Sequence, residues 1–413
     1  MVGNIISATK KVLTQLKYFG RSSVFMSKAA QMSNVLFLGL PSHGHVHPTL
    51  GLVNELTKQG EQVVYFASPE FKDKIESAGA SFVGYRDDLN IFKPGGGAMA
   101  GVINKAPEIM ANLLEQIRGR HFDYLIHSAA FPFAGPLTQL LGIPAISSLA
   151  VFAGLREFSI ARTGGGHRYQ EIARELEQTY GIQMPEDMMG LLMNKAGLNL
   201  VYTSRYFVPD PDFFDDSYAF VGPPVYERKE DMDFPWERLD GSNVLYISLG
   251  TVFGNHTPSL YAHFFDAFAA WNGVVVMAAH QADLSARPIP GNFIVRDYVP
   301  QNALLKRTNV AITHGGMNSM SDLISNQVPF VCIPLGADQP LLAARAAELG
   351  AAISLEARTI DSDRLRAAVA EVTGNPNYLA GIKRIDDSFR EAGGYPEAVR
   401  RIRAFLSNTR DSA

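Results

Sequence analysis

The sequence is poor in cysteine, in long apolar runs and in charge of one sign. Its 413 residues contain one cysteine, Cys332, so an internal disulfide is excluded and a reducing cytosol fits. No apolar run approaches the roughly 18 residues of a membrane-spanning helix. The formal net charge is −4 and the pI about 6.2. Neither value favours nucleic acid or an anionic membrane as the main partner.

The composition is that of a globular protein with sizeable cores. Hydrophobic residues make up 46% of the chain and charged residues 19%, which is typical of a globular chain. A length of 413 residues indicates two or three domains.

Residues 298–339 are the most informative stretch. Within it, the run 309–313 is short, apolar and rich in β-branched residues, which predicts a buried strand. His314, Gly315 and Gly316 follow, and a helical pattern covers 317–327. A strand, a glycine turn and a helix N-terminus place backbone N–H groups against a phosphate.

A second predicted strand, 328–334, ends just before Asp338 and Gln339. In open α/β sheets, ligands collect outside the carboxyl ends of the strands. The two strand ends should therefore deliver polar side chains to one crevice. A Rossmann-like crossover with incidental polar residues is the plainer alternative.

This stretch resembles the donor-binding signature of the UDP-dependent glycosyltransferases, W-x-P-Q, then H-x-G-x-N-S-x-x-E, then P, then D/E-Q. The spacing from His314 to Gln339 matches without a gap. The resemblance implies a GT-B fold, in which two Rossmann-like doubly wound α/β domains face each other across a cleft. It also implies that the UDP-sugar is a co-substrate, with no cofactor and no metal.

The resemblance assigns roles to individual residues. Tyr298 would stack on uracil, Asp322 would hold the ribose hydroxyls, and Asp338 and Gln339 the sugar hydroxyls. The full set of implied donor-binding residues is Gly250, Thr251, Tyr298, Val299, Gln301, His314, Gly316, Met317, Asn318, Ser319, Asp322, Asp338 and Gln339. Tyr298 stands where the family has Trp, and Asp322 where it usually has Glu.

The segment Ser42-His43-Gly44-His45-Val46-His47-Pro48, which we predict to be a loop ahead of a helix from Thr49, has alternating histidines. His-x-His can bind zinc, but no Cys or carboxylate stands nearby at a suitable spacing. The segment also resembles the family's G-H-x-x-P-x-L, whose histidine is the general base. That residue is His45 here, and a neutral imidazole is suited to take a proton from a hydroxyl.

The acid that usually orients this histidine is missing. The family has I-x-D at the end of the strand predicted at 122–127, where this chain reads Ile126-His127-Ser128. Ser128 could hydrogen-bond His45, but it adds no negative charge.

Alternating strands and helices predict a parallel sheet in each half of the chain. We place an acceptor-binding domain at 32–220, a linker at 221–242, a donor-binding domain at 243–391 and a C-terminal helix packing back on the first domain at 392–413. The methionines between 184 and 193 would line the acceptor pocket by the resemblance, or pack in an ordinary core.

Residues 1–31 contain five basic residues and no acidic one. A disordered extension or an upstream start is the plain interpretation. A weak membrane-surface contact and a transit peptide are the alternatives.

The resemblance predicts an inverting transfer of a sugar, glucose foremost, to a hydroxyl of a hydrophobic small molecule, as in bacterial macrolide and flavonoid glycosyltransferases. Two alternatives remain: a nucleotide-sugar epimerase on the same fold, and a non-catalytic UDP-sugar-binding protein whose His45–Ser128 pair has decayed.

Overall fold

The computed structural model describes residues 32–91, 98–150, 166–187, 189–223, 232–250, 258–285 and 287–411. The predicted extension 1–31 lies outside these residues, as do Thr251, the stretch 151–165 and residues 224–231 of the predicted linker.

The first half of the chain builds a seven-stranded sheet in the order β3-β2-β1-β4-β5-β6-β7. All neighbouring strands are parallel. The strands are β1 Asn34–Leu38, β2 Gln62–Ala67, β3 Ser81–Gly84, β4 Tyr124–Ser128, β5 Ala145–Leu149, β6 Leu198–Val201 and β7 Tyr218–Phe220. Central strands such as β4 are buried along their whole length, because helices cover both faces of a parallel sheet.

Six helices of this half are described. They are α1 His43–Lys58, α2 Lys72–Ser77, α3 Ala98–Asn104, α4 Ala106–Ile117, α5 Ala134–Leu141 and α6 His167–Tyr180. One apolar cluster holds α1 against one face of the sheet, and another holds α4 and α6 against the opposite face.

The second half repeats this architecture with six parallel strands in the order β10-β9-β8-β11-β12-β13. The strands are β8 Val244–Ser248, β9 Val274–Ala278, β10 Phe293–Arg296, β11 Val310–Thr313, β12 Phe330–Cys332 and β13 Ala352–Ser354. The helices are α7 Pro258–Phe268, α8 Gln301–Leu305, α9 Met317–Ser325, α10 Gln339–Glu348, α11 Ser362–Gly374, α12 Pro376–Glu391 and α13 Gly394–Asp411.

Both sheets reverse their strand order at one point. In the first sheet β1 lies beside β4, and in the second β8 lies beside β11. Such a switch point opens a crevice at the carboxyl ends of the two strands, where ligands bind in folds of this kind. The two-domain doubly wound α/β architecture predicted from the sequence is confirmed.

The prediction of a loop through Pro48 is wrong, because α1 begins at His43 and contains Pro48. Ser42, in extended conformation (φ −156°, ψ 140°), is the residue before the helix. Its carbonyl accepts the backbone N–H groups of His45 and Val46. The alternating histidines therefore occupy the first turns of a helix.

The last two helices belong to different halves of the molecule. Helix α12 contributes Ile385 and Phe389 to the core of the second half, whereas α13 contributes Val399 and Ile402 to the cluster around α1. Gly393 and Gly394, with φ of 86° and 66°, form the joint between them, in a backbone conformation that favours glycine. Among the described residues, no helix is both long and apolar enough to cross a membrane.

Candidate active site

His45 and Ser128 meet at the switch point of the first sheet. His45 is the third residue of α1, and Ser128 is the last residue of β4. The distance from His45 Nδ1 to Ser128 Oγ is 3.0 Å. Both side chains are buried. The two residues singled out from the sequence are thus brought into hydrogen-bond contact.

Burial lowers the pKa of His45 to about 4. The N-terminus of α1 acts in the same direction, because its partial positive charge disfavours an imidazolium. Ser128 carries no charge that would counter either effect. His45 is therefore a neutral imidazole at neutral pH, able to accept a proton.

His127, the neighbour of Ser128, does not join this pair. Successive side chains of a strand point to opposite faces, and in β4 Leu125 packs in one apolar cluster while Ile126 packs in the other. The Nδ1–H of His127 donates to the backbone carbonyl of Ser128 at 3.0 Å. Burial lowers the pKa of His127 to about 4.

His43 and His47 form a separate group one helical turn apart. His43 Nδ1 lies 3.3 Å from His47 Nε2, which is also 3.0 Å from Lys74 Nζ. The ring of Phe71 packs edge-on against His43. No group of three or more metal-binding side chains occurs in the part of the chain that the structure describes.

The predicted phosphate turn lies at the switch point of the second sheet. The ring of His314 fills the space between two glycines: a Cβ would lie 2.8 Å from its Nε2 at Gly250 and 2.4 Å at Gly316. A side chain at either position would force the His314 ring to move. The backbone N–H of His314 donates to Ser248 O at 3.2 Å, and burial lowers the pKa of the imidazole to about 4.

Helix α9 starts directly after this turn, with Gly316 as the residue before its first turn. Asn318 and Ser319 are half-buried there, whereas the side chain of Met317 is in the core. A donor contact by Met317 would therefore use its backbone N–H. The side chain of Asn318 reaches the other half of the molecule, where its Nδ2 donates to Gly44 O at 3.4 Å.

Asp322 is held by a chain of hydrogen bonds. Gln301 Nε2 donates to Asp322 Oδ2 at 2.7 Å, and Tyr246 OH donates to Gln301 Oε1 at 3.0 Å. The Asp322 carboxylate can only accept a hydrogen bond, so it faces the amide nitrogen of Gln301, and the Tyr246 hydroxyl donates to the amide oxygen. The amide of Gln301 therefore has one favoured orientation.

Tyr298 lies on the surface with 46% of its area exposed. Its ring centroid is 4.6 Å from that of His280, at an interplanar angle of 50°. Tyr298 OH and His280 Nε2 are 3.3 Å apart. The next residue, Val299, packs against the core of the second half. The exposed phenol ring is thus supported from one side by an imidazole.

Asp338 and Gln339 offer opposite hydrogen-bonding groups. Burial raises the pKa of Asp338 to about 6. Gln339 Oε1 accepts the backbone N–H groups of Leu335 and Gly336 at 2.8 and 3.1 Å, so its amide nitrogen is the end that can serve a ligand. Ala337, directly before them, has φ of 54°, a strained conformation for a non-glycine residue.

Comparisons with known proteins agree with this geometry. Residues 262–403 match the family model "Erythromycin biosynthesis protein CIII-like, C-terminal domain". The chain is 36% identical over 389 residues to the uncharacterized UDP-glucosyltransferase YdhE of Bacillus subtilis, covering 90% of this chain and 98% of that protein. The chain belongs to the UDP-dependent glycosyltransferases.

Two further comparisons place this glycosyltransferase among relatives named for natural products. It is 25% identical to the oleandomycin glycosyltransferase of Streptomyces antibioticus, covering 92% of this chain and 93% of that protein. It superimposes on the solved glycotransferase of kitacinnamycin with a TM-score of 0.77 at 26% identity, covering 91% of this chain and all of that one. The GT-B fold follows from this likeness.

Parts of the predicted site cannot be placed on this structure. Thr251 and Met188 lie outside the described residues. Met184 and Met193 are half-buried and pack against two different cores, so they do not form one cluster. Their assignment to an acceptor pocket stays a prediction.

Sequence reasoning missed Tyr246 and His280. Each touches a predicted donor residue more than 15 positions away in the chain. Tyr246 reads as an ordinary core residue of a strand, and His280 as part of a loop. Neither residue belongs to a recognisable local motif, because its contact with the predicted donor residue forms only when the chain has folded and the strands lie side by side.

Proposed function

We propose that this glycosyltransferase moves a sugar, glucose foremost, from a UDP-sugar to a hydroxyl of a hydrophobic small molecule. The carrying observation is a buried, neutral His45 in the acceptor half, hydrogen-bonded to Ser128. The side chain of Asn318, in the predicted phosphate turn, donates to the backbone carbonyl of Gly44, the residue directly before His45. The names of YdhE and of the oleandomycin glycosyltransferase support the donor and the acceptor class.

In the proposed reaction, Nδ1–H of His45 donates to Ser128 Oγ, and Nε2 takes the proton of the acceptor hydroxyl. The acceptor oxygen forms a bond to C1 of the sugar. The bond from C1 to the diphosphate oxygen breaks on the opposite face, and UDP leaves with the electron pair. A single displacement of this kind inverts the configuration at C1.

The donor half supplies the remaining groups. The N-terminus of α9, His314, Asn318 and Ser319 would bind the diphosphate. Gln301 and Asp322 would bind the ribose, and Tyr298 would stack on the base. Asp338 would accept from the sugar hydroxyls, and Gln339 would donate to them. The expected preference is for a sugar with equatorial hydroxyls.

The test is to incubate the protein with UDP-glucose and a panel of phenols and macrolides and to measure acceptor masses. A gain of one hexose is the expected result, with inverted configuration at C1 by NMR. Ser128 in place of an acid favours a second candidate, a protein that binds UDP-sugars without transferring them. Binding of UDP by calorimetry with no product from any acceptor would establish that candidate.

Catalysis is expected to need no divalent metal. A helix N-terminus and polar side chains can meet the charge that develops on the leaving diphosphate, and the phosphate turns carry no Asp-x-Asp-like carboxylate pair. Turnover should survive excess EDTA. A complete loss that magnesium or manganese restores would contradict this prediction.

Tyr246→Phe tests the chain of hydrogen bonds behind Asp322. Without the hydroxyl, Gln301 Oε1 loses its donor and only Asp322 holds the amide, so the KM for the UDP-sugar should rise about 3- to 10-fold with little change in kcat. Tyr261→Phe is the control, because that buried hydroxyl finds no hydrogen-bond partner among the described residues.

The discriminating measurement repeats these assays with a 2′-deoxy-UDP-sugar. If Tyr246 acts through the ribose-binding pair, the variant and the wild type should differ less with the 2′-deoxy donor. An equal rise in KM with both donors would mean that Tyr246 acts on the fold and not on ribose binding.

A further inference from the structure

Pro48 is the sixth residue of α1 and lies buried inside the helix. A proline has no backbone N–H, so the carbonyl four residues earlier receives no helical hydrogen bond from it. The ring also crowds that carbonyl and tilts it away from the helix axis. In α1 the carbonyl concerned is that of Gly44, the residue directly before His45.

A side chain from the other half of the molecule meets this same carbonyl. Asn318 Nδ2 donates to Gly44 O at 3.4 Å. Asn318 lies in the first turn of α9, which is the proposed phosphate-binding turn. One hydrogen bond therefore joins the helical turn that carries the base to the turn that would carry the donor phosphates.

The position of Pro48 is itself secured. Tyr395 OH donates to Pro48 O at 2.8 Å, and the Tyr395 ring lies where a Cβ on Gly51 would fall, 2.0 Å from the nearest ring atom. Helix α13 thus holds α1 from the side, in the turn that follows Gly44.

We propose that Pro48 is a positioning residue for the transfer reaction. By withholding an N–H, it leaves Gly44 O as the docking point for Asn318, and this contact sets the register between His45 and the donor. The amide of Asn318 has two N–H groups, so one can bond Gly44 O while the other bonds a phosphate oxygen. In-line displacement depends on this alignment. The inference rests on the proposed function, because it uses the donor role of Asn318.

Pro48→Ala and Pro48→Val provide the test. Both restore the N–H that can bond Gly44 O, and valine also keeps most of the buried volume. With UDP-glucose and a phenol, both variants should lose about 3- to 10-fold in kcat, the worth of one ordinary hydrogen bond. The Kd for UDP by calorimetry should stay within about twofold, since the hydrogen bond that is lost joins Asn318 to Gly44 O and not to the donor. A loss in Pro48→Ala alone would trace to packing and overturn the inference.

A double-mutant cycle separates this role from a purely structural one. In an Asn318→Ala background the docking contact is already gone, so adding Pro48→Ala should cost less than about twofold more. A full additional loss would contradict the proposal. Pro136→Ala, which removes a buried proline from the first turn of α5, is the control and should leave kcat unchanged.

Crystal structures of the wild type and of Pro48→Ala decide the inference even without turnover. In the variant, the backbone N–H of residue 48 is expected to donate to Gly44 O, and the Asn318 side chain is expected to turn away from Gly44. An Asn318–Gly44 contact that is the same in both would overturn it. Absence of sugar transfer by the wild type would count against the proposed function alone.

Discussion

His45→Ala is expected to lower kcat about 10²- to 10⁴-fold, the usual effect of removing a general base. The acceptor hydroxyl would then lose its proton to water during attack on C1. The Kd for UDP should stay nearly unchanged, because His45 lies on α1 in the first half of the chain and the proposed donor residues lie in the second half. Steady-state kinetics with UDP-glucose and a phenol, together with calorimetry of UDP binding, measure both quantities.

His43→Ala is the matched control for this variant. It removes an imidazole two residues earlier in the same helix, where the ring contacts His47 and Phe71 rather than Ser128. It should cost less than about threefold, as for a residue outside the proton-transfer path. If His45→Ala itself costs less than about threefold, another base carries the proton.

The strand, glycine turn and helix around His314 could be predicted from the sequence because their signals are local. A β-branched run, two glycines and a helical pattern follow one another between Asn309 and Gln327, and the structure has β11 and α9 there. The space that the His314 ring needs is provided by glycines, and glycines are visible in the sequence. The packing of His314 against Gly250 adds a contact that joins two separate strand ends.

The start of α1 could not be predicted in the same way. Pro48 carries a strong helix-breaking signal, which hid the helical conformation of residues 43–47. Contacts made elsewhere override that signal: Tyr395 binds the Pro48 carbonyl, and Asn318 binds the carbonyl that Pro48 leaves without a helical donor. Both partners are more than 250 residues away in the sequence.

The chemistry of His45 depends on burial, which spacing alone does not reveal. Its pKa of about 4 follows from the loss of water around the ring. As the proposed base, an imidazole with so low a pKa would be weak, although it stays unprotonated over a wide range of pH. Acceptors with weakly acidic hydroxyls, such as aliphatic alcohols, should therefore react more slowly than phenols, which release their proton more easily.

Ser128→Asp should reverse this weakness. A carboxylate facing Nδ1 of His45 would form a charge-assisted hydrogen bond worth about 1.5–3 kcal/mol. To the extent that the bond strengthens as the imidazolium forms, kcat/KM should rise by up to about 10- to 100-fold. The gain should be larger for an aliphatic alcohol than for a phenol, because the alcohol needs the stronger base.

The pH profile of Ser128→Asp gives an independent measure of the same effect. His45 must be neutral to act, so activity is lost as the pH falls through its pKa. With the wild-type pKa at about 4, His45 itself should cause no loss of kcat/KM above about pH 5. Any loss near pH 6 from protonation of Asp338 should be the same in the wild type and the variant. A facing carboxylate favours the charged imidazole and raises that pKa toward the ordinary value of about 6.5. The acid limb of the variant should therefore move to higher pH.

Ser128→Asn is the control, since asparagine has the shape of aspartate without its charge. It should neither raise kcat/KM on the alcohol nor move the acid limb, because the proposed gain comes from the negative charge. A similar gain in both variants would assign the effect to side-chain length. No gain in a Ser128→Asp protein that folds and binds UDP would mean that the proton leaves by another route. The 3.0 Å contact between His45 and Ser128 would then be a packing contact with no part in orienting the base.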